Sequence, residues 1–275
     1  MLSKKIKNFF MLKVNGKTKL FGVIADPIDH VRAPEIYNER WLHNNKNLIM
    51  IPIHVKSNNL KTTIEGLRSL SNFYGFCVTI PHKVDVAKFC DFIMPNAEMI
   101  GAVNVAYFNK KRELIGDNFD GDGFIFGLKA HGYDIKGKKI YLVGAGGAAR
   151  AIAFSLAKQN VFSIYISNRT EEKVRNLCNS ILKWYPNLNI KSSDDCSKCD
   201  ILINTTSLGL NNTDELPFEV EKTPSNSLIV DIIMKPEMTN LLKKAALNNR
   251  KIHQGKHMLD YQIELMEKFL TKDIL

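Results

Sequence analysis

Short apolar runs of strand length recur between residues 20 and about 115: LFGVIA, NLIMIPIHV, GFCVTI and AVNVAYF. They alternate with longer stretches of helical character, among them PEIYNERWLHN and VDVAKFCDFI, and this alternation predicts an α/β unit. The segment KRELIGDNFDGDGFIFGLKAHG then crowds glycines and acids or amides ahead of an apolar helical period, which places a hinge near residue 120. Beyond it KKIYLVGAG, FSIYISNR, DILINTT and SLIVDIIM read as strands, with GAARAIAFSLAKQN and TEEKVRNLCNSILKWY as helices between the first three. That order predicts a second α/β unit with a parallel sheet. A last helix, HMLDYQIELMEKFL, brings Met258, Tyr261, Leu265 and Met266 to near helical spacing.

Composition narrows the picture. With 275 residues, 45% of them hydrophobic, the chain can bury two cores. No apolar run approaches the roughly 18 residues of a membrane span. The leading KKIKNFFMLKVNGK has too short an apolar centre for a secretory signal, so a soluble, cytoplasmic protein with no membrane partner is expected. Five cysteines, an odd number, do not read as a disulfide framework and are expected to be reduced. Cys196 and Cys199 form a CxxC pair, but a structural zinc wants about four ligands and no second pair lies nearby, so no metal is expected. The net charge of +10 comes from scattered lysines with only a loose cluster at the N-terminus and no nucleic-acid-binding motif. It fits a solvated surface or a site for phosphate-bearing small molecules rather than a nucleic acid. The sequence does not separate a monomer from a homodimer.

The stretch YLVGAGGAARAI supplies the first chemistry. Across Gly144, Ala145, Gly146, Gly147, Ala148 and Ala149 it matches the GxGxxG/A fingerprint, following a strand and opening a helix: Gly144 for the tight turn, Gly146 for approach to a pyrophosphate, Ala149 for helix against strand. One βαβ unit later, where NAD enzymes place an acid for the ribose 2′-hydroxyl, the chain has Asn168, Arg169 and Thr170, with Lys173 a turn on. Two cations and two neutral donors suit a 2′-phosphate, so NADP is the expected cofactor. The expected fold is therefore α/β in two domains. An N-terminal α/β substrate-binding domain spans 1–120 and is completed by the C-terminal helix at 256–275; a Rossmann-type NADP-binding domain spans 121–255.

A bound nicotinamide calls for a small-molecule substrate held against it and a proton carrier, because hydride transfer from an alcohol also releases a proton. Lys83 in VTIPHK and Asp120 in GDNFDGDG are the candidates, and as a lysine–carboxylate pair they could hold one hydroxyl between them with coupled titration. His82 is the neighbouring alternative to Lys83. Adjacent side chains diverge, so only one of the two faces the cleft.

Together these motifs resemble the shikimate dehydrogenase family, which reduces 3-dehydroshikimate to shikimate with NADPH, and its quinate/shikimate relatives. The resemblance runs from Gly22 to Gln262. It implies that Lys83 and Asp120 are catalytic, that Thr79, Asn104 in IGAVNV and Gln262 in GKHMLDYQ bind substrate, and that Gly255 lies near the nicotinamide. It likewise implies that Thr205, Thr206 and Ser207 of INTTSLGL, together with Ile232, lie on the cofactor. A quinate-type dehydrogenase, or a non-catalytic NADP-binding regulator with the same fold, is the alternative.

One region departs from the family. Its Ser–x–Ser pair, whose hydroxyls bind the substrate carboxylate, is here Val31 and Ala33 around Arg32; a family tyrosine is Met234 and a threonine is Phe119. All these changes fall on the anion-holding side, which implies kept chemistry and altered specificity. Losing two or three hydrogen bonds to a charged group weakens binding by roughly 1.5 to 3 kcal/mol each. An inward Arg32 could replace them as a bidentate partner. Strand-like alternation instead points position 32 away when 31 and 33 line the pocket, leaving an apolar wall.

Overall fold

The computed structural model describes residues 14–29 and 31–274, so most of the leading KKIKNFFMLKVNGK, on which the signal-peptide reading rests, lies outside the described residues. The elements in chain order are β1 Lys19–Ala25, α1 Ala33–His43, β2 Leu48–His54, α2 Leu60–Ser69, β3 Phe73–Val78, α3 Lys83–Ala87, β4 Phe92–Ile93 and α4 Pro95–Ile100. They continue with β5 Val105–Phe108, β6 Leu114–Asp117, α5 Asp120–Ala130, β7 Lys139–Val143, α6 Gly147–Lys158, β8 Ser163–Ser167, α7 Glu171–Leu182 and β9 Asn189–Ser192. The last five are β10 Ile201–Asn204, β11 Leu228–Asp231, α8 Asn240–Leu247, β12 Lys251–His253 and α9 Lys256–Leu270. Contacts divide the described residues into two compact units: those up to 94 with 102–117 and those from 269 on, and residues 95–101 with 118–268.

The first unit is a six-stranded mixed sheet in the order β2-β1-β3-β5-β6-β4. β1 runs parallel to β2 and β3, while β5 is antiparallel to both β3 and β6. The register aligns Ala25 with His54, Ile24 with Val78, Cys77 with Val105, and Val105 with Asp117. One end of the sheet therefore collects the C-terminal ends of β1, β2, β3 and β6 and the start of β5. Trp41 of α1 is fully buried against Phe21 of β1, ring centroids 5.1 Å apart, with Tyr37 beside it at 5.3 Å. Truncating such an aromatic to alanine costs about 3–5 kcal/mol, so this cluster anchors α1 and the loop before it.

VDVAKFCDFI, expected to be one helix, is not. The helix ends at Ala87 and Phe92–Ile93 pairs with Ile115–Gly116 of β6. Asp91 decides this: its carboxylate accepts from the Leu114 amide at 2.6 Å and from Arg68 at 2.7 Å, which pins the chain to the sheet, and these bonds hold its carboxyl below the usual range. The phenyl and butyl groups of Phe92 and Ile93 are left exposed.

The second unit contains an all-parallel sheet in the order β12-β11-β10-β7-β8-β9. Its three central strands, β7, β10 and β11, are buried along almost their whole length, as the runs IYLV, ILIN and LIVD require of strands covered on both faces. The crossing order changes direction between β7 and β10, the place where open α/β sheets bind ligands. The last helix forms as its spacing predicts, and its buried positions are Ile263, Met266, Glu267 and Leu270. Met258, Tyr261 and Leu265 are half-buried.

Candidate active site

In the first unit, the polar candidates gather at the end of the sheet that the register defines. Thr79 follows β3, and its amide donates to Ile24 O at 3.1 Å; Asn104 precedes β5, taking Val78 N on its carbonyl at 2.7 Å and donating its amide to Asp117 O at 3.0 Å. Lys83 opens α3, and its carbonyl accepts from Val103 N at 2.8 Å, which fixes it beside the Asn104 segment. The Lys83 side chain is half-buried and that of Asn104 is buried. The lysine charge is felt at Cys77, whose thiol burial nonetheless pushes up to about 12. His82 turns the other way: fully buried, it donates from Nε2 to Val55 O at 2.6 Å and braces the end of β2. Of the two neighbours His82 is fully buried and Lys83 half-buried.

The loop after β1 places Val31 and Ala33 half-buried and Arg32 at the surface. Arg32 is the residue before α1, 57% exposed, and its Nε lies 3.3 Å from Glu35 in the first helical turn. Its guanidinium is thus engaged at the surface, set by the backbone at the mouth of α1, which is helical rather than extended at Arg32.

In the second unit, Gly144 follows β7 with φ +117°, a conformation that side-chain-bearing residues avoid, and an added Cβ would also strike Thr205 Oγ1. Thr205 closes the same corner from below, donating both its amide (2.9 Å) and its hydroxyl (2.6 Å) to Val143 O. Ala145 follows, Gly146 caps α6 with no side chain over it, and the space around Gly146 and Gly147 is open where a Cβ would stand. Ala148 lies within the first turn and Ala149 is fully buried against the sheet. A helix N-terminus presented this way, at the switch point between β7 and β10, fits a pyrophosphate.

At the end of β8, Asn168 is half-buried and donates to Thr170 O at 3.0 Å, whereas Arg169, Thr170 and Lys173 are exposed. The loop after β10 rests on a buried polar brace. Asn204 Oδ1 accepts from the amide and hydroxyl of Thr206 at 3.0 and 2.7 Å, its Nδ2 donates to Asp231, and Asp231 in turn accepts from Thr239 at 2.8 Å. Burial pushes the Asp231 carboxyl up. Ser207 is exposed, Ile232 is half-buried with its carbonyl packed on Gly255, and Met234 is 48% exposed.

The same unit joins two residues that are 142 positions apart. Asp120 opens α5, 6% exposed, with its amide donated to Asn118 Oδ1 at 3.0 Å; Gln262 of α9 donates from Nε2 to Asp120 Oδ1 at 2.6 Å. The helices approach this closely because of Gly123, where a Cβ would stand 2.7 Å from the Gln262 Cβ. Residues outside the sequence-based set also shape the site. Asn204 and Asp231 hold the loop carrying Thr205–Ser207, and Arg150 donates to the carbonyls of Ile100 and Met99, tying α6 to α4. Asn204 and Arg150 lie inside quoted motifs, but only their partners reveal the bracing. Cys196 and Cys199 are buried and unbridged, and burial pushes their thiols up, Cys199 to about 12, so neither is a ready nucleophile or ligand. Among the described residues no helix is long and apolar enough to cross a membrane.

Comparison with known proteins places this geometry. The family model described as shikimate dehydrogenase substrate binding domain matches residues 23–106, and that described as shikimate / quinate 5-dehydrogenase matches residues 128–251. A shikimate dehydrogenase (NADP(+)) of Alkaliphilus oremlandii is 36% identical over 269 residues, covering 94% of this chain and 93% of its own. A crystal structure of a shikimate dehydrogenase in complex with NADP+ superimposes with a TM-score of 0.89 at 36% identity, over 94% of this chain and 92% of its own. The ligand-free 5-ketofructose reductase of Gluconobacter sp. strain CHM43 superimposes with a TM-score of 0.87 at 28% identity, over 94% of each chain.

Proposed function

The chain belongs to the shikimate dehydrogenase family, and from that premise we propose that it is an NADP-dependent oxidoreductase interconverting 3-dehydroshikimate and shikimate, or a closely related hydroxylated cyclic acid. The observation that carries the reading is the 2.6 Å bond between the Asp120 carboxylate and Gln262, in the same unit as a glycine turn shaped for a dinucleotide. When bound, the nicotinamide supplies or accepts the hydride. Gly144 to Ala149 and Thr205 to Ser207 would hold its diphosphate side, Ile232 and Gly255 its ring side, and Asn168, Arg169, Thr170 and Lys173 the 2′-phosphate.

In this reading Lys83 and Asp120 share the substrate hydroxyl. In reduction the Lys83 ammonium would donate to the carbonyl oxygen and give it its proton as the carbon–oxygen double bond becomes single, leaving a neutral amine, while the Asp120 carboxylate accepts a hydrogen bond from the hydroxyl so formed; in oxidation the neutral amine takes that proton back. Gln262 keeps the Asp120 carboxylate oriented and, with Asn104 and Thr79, fixes the ring through its other hydroxyls. Orientation of this kind is where much of the rate originates.

The carboxylate side points to altered specificity. Val31 and Ala33 bring no hydroxyl, Met234 brings none either, and Arg32 is already bonded outward to Glu35. Weak shikimate turnover follows, with better use of a substrate bearing less charge or more carbon. A similar frame in a 5-ketofructose reductase supports the view that specificity can move while the frame stays. A monomer or homodimer working in the cytoplasm completes the proposal, checked by sedimentation and cell fractionation.

The test is a panel of hydroxylated cyclohexene and cyclohexane acids and uncharged polyols, each assayed with NADP and NAD. The expected result is NADP-linked turnover of at least one member, lowered about 10²–10⁴-fold by Lys83→Ala with NADPH affinity unchanged. Tight NADPH binding with no turnover across the panel would instead favour a cofactor-binding regulator.

A further inference from the structure

Three histidines meet in the second unit, His131 far in sequence from the pair His253 and His257, and none of the three has a role in the site described above. His131 follows the last turn of α5, His253 ends β12, and His257 is the second residue of α9. One ligand atom from each lies within 4.8 Å of the others, and the ring centroids are 3.8, 4.9 and 5.1 Å apart. We propose that His131, His253 and His257 form a binding site for a late first-row divalent metal ion, zinc foremost, which clamps the end of α5 to the start of α9.

Four features of the cluster carry this. A tetrahedral zinc with nitrogen ligands at about 2.0–2.1 Å keeps those nitrogens about 3.4 Å apart, so small ring rotations close the set. His131 Nδ1 lies 2.9 Å from the Gly127 carbonyl and must donate to it, which leaves Nε2 as the free lone pair; metal-bound histidines are oriented by just such a carbonyl. His253 is 4% exposed, His257 half-buried and His131 exposed, so the site has a closed floor and an open side for ion entry and a water ligand. Three imidazoles without a thiolate or a carboxylate suit zinc, nickel or copper rather than magnesium or calcium.

The charge state agrees. Burial and the neighbouring rings hold His253 down at about 4, and His257 also lies below its ordinary value, so both are neutral lone-pair donors at pH 7. The charged groups facing His257 are Asp260, one turn along α9, and the exposed Lys256–Glu237 pair at 3.0 Å. The consequence for the site is mechanical. α5 carries Asp120 and α9 carries Gln262, so an ion between their other ends would hold the register in which those two side chains bond.

The experiment uses tag-free full-length protein, stripped with a chelator and titrated with Co²⁺ and then Zn²⁺. The expected result is one Co²⁺ per chain with the absorption of a tetrahedral nitrogen site and no thiolate charge-transfer band, displaced by Zn²⁺, with Zn²⁺ raising the melting midpoint. His131→Gln and His257→Gln should each weaken binding at least about tenfold and remove the melting shift, while NADPH binding by the stripped protein persists. Both positions lie at helix ends outside the core, and apo melts of the two variants report folding independently. Equal binding by wild type and variants, a thiolate band pointing to Cys196 and Cys199, or no binding at about 100 µM metal, a hundred times the micromolar dissociation constant expected, would each overturn the proposal.

Discussion

Replacing Gly123 by alanine separates the stability of α5 from the geometry of the site. A Cβ there would stand 2.7 Å from Gln262 Cβ and 2.9 Å from its Cα and amide nitrogen, whereas ordinary contacts begin near 3.4 Å. Two of these three atoms are backbone, so no rotamer relieves the clash and α9 must retreat by about 0.7 Å. Transmitted along the Gln262 side chain, that shift takes the 2.6 Å bond to Asp120 to about 3.3 Å, at the edge of a useful hydrogen bond. A bond to a charged group is worth about 1.5–3 kcal/mol.

The stability side nearly cancels. Overpacking costs about 1–3 kcal/mol, and alanine recovers about 1 kcal/mol of helix propensity over glycine. The expected result for Gly123→Ala is a melting midpoint lowered by only a few degrees beside a kcat/KM lowered about 10–100-fold, with NADPH affinity near wild type. Gly66→Ala is the control: in mid-α2 with nothing near its Cβ position, it should raise stability slightly and leave turnover alone. Thermal melts and steady-state NADP reduction with the best substrate read both quantities. A Gly123→Ala enzyme with unchanged kcat/KM would show that α9 has slack at Gln262 and that its contact with Asp120 does not set the rate.

Three further outcomes follow from the geometry. Gly144→Ala, combining a positive φ with a clash against Thr205 Oγ1, should weaken NADPH binding more than tenfold by fluorescence titration and destabilise the fold by about 1–3 kcal/mol. The double change Val31→Ser with Ala33→Ser should raise shikimate kcat/KM at least tenfold, since each new bond to a carboxylate is worth about 1.5–3 kcal/mol, while Arg32→Ala changes it less than twofold because its partner is Glu35; a large loss in Arg32→Ala would restore the inward reading. His253, held down at about 4 against an ordinary 6.5, takes up a proton on unfolding between those values. The stability it contributes is therefore full above about pH 6.5 and is lost as the pH falls toward 4, so in chelator-containing buffer wild type should lose more melting temperature between pH 7 and 5 than His253→Gln.

Much of this was legible in the sequence where the signal is local. A glycine fingerprint between a strand and a helix identifies the Gly144 turn, because φ above zero and close approach both demand glycine. Arg32 is exposed between half-buried Val31 and Ala33, but at the mouth of α1 with helical backbone angles rather than in an extended segment, so strand-like alternation is not the reason. Local periodicity failed where a single side chain overrules it: Asp91, bonded to Leu114 N and Arg68, breaks VDVAKFCDFI into a short helix and a strand. Along α9 the period gave the helix itself, with Met266 buried and Met258, Tyr261 and Leu265 half-buried. The histidine cluster could not be read as a whole: His253 and His257 stand four apart in HQGKH, but only the fold brings His131 to them.

The distribution of these residues over the fold bears on how specificity can drift. Asp120 and Gln262 sit on two helices locked by a glycine contact, and Lys83 and Asn104 are fixed by backbone bonds at a sheet end, so almost any shift there disturbs several hydrogen bonds together. Val31 and Arg32 end the loop before α1 and Ala33 opens that helix, whose anchor is the buried Trp41 cluster. Side chains in that loop can change without moving the anchor. Under the proposed reading, substitution meets least resistance at Val31 and Ala33, on the proposed carboxylate side, and most at Lys83, Asn104, Asp120 and Gln262, on the proposed proton-transfer side.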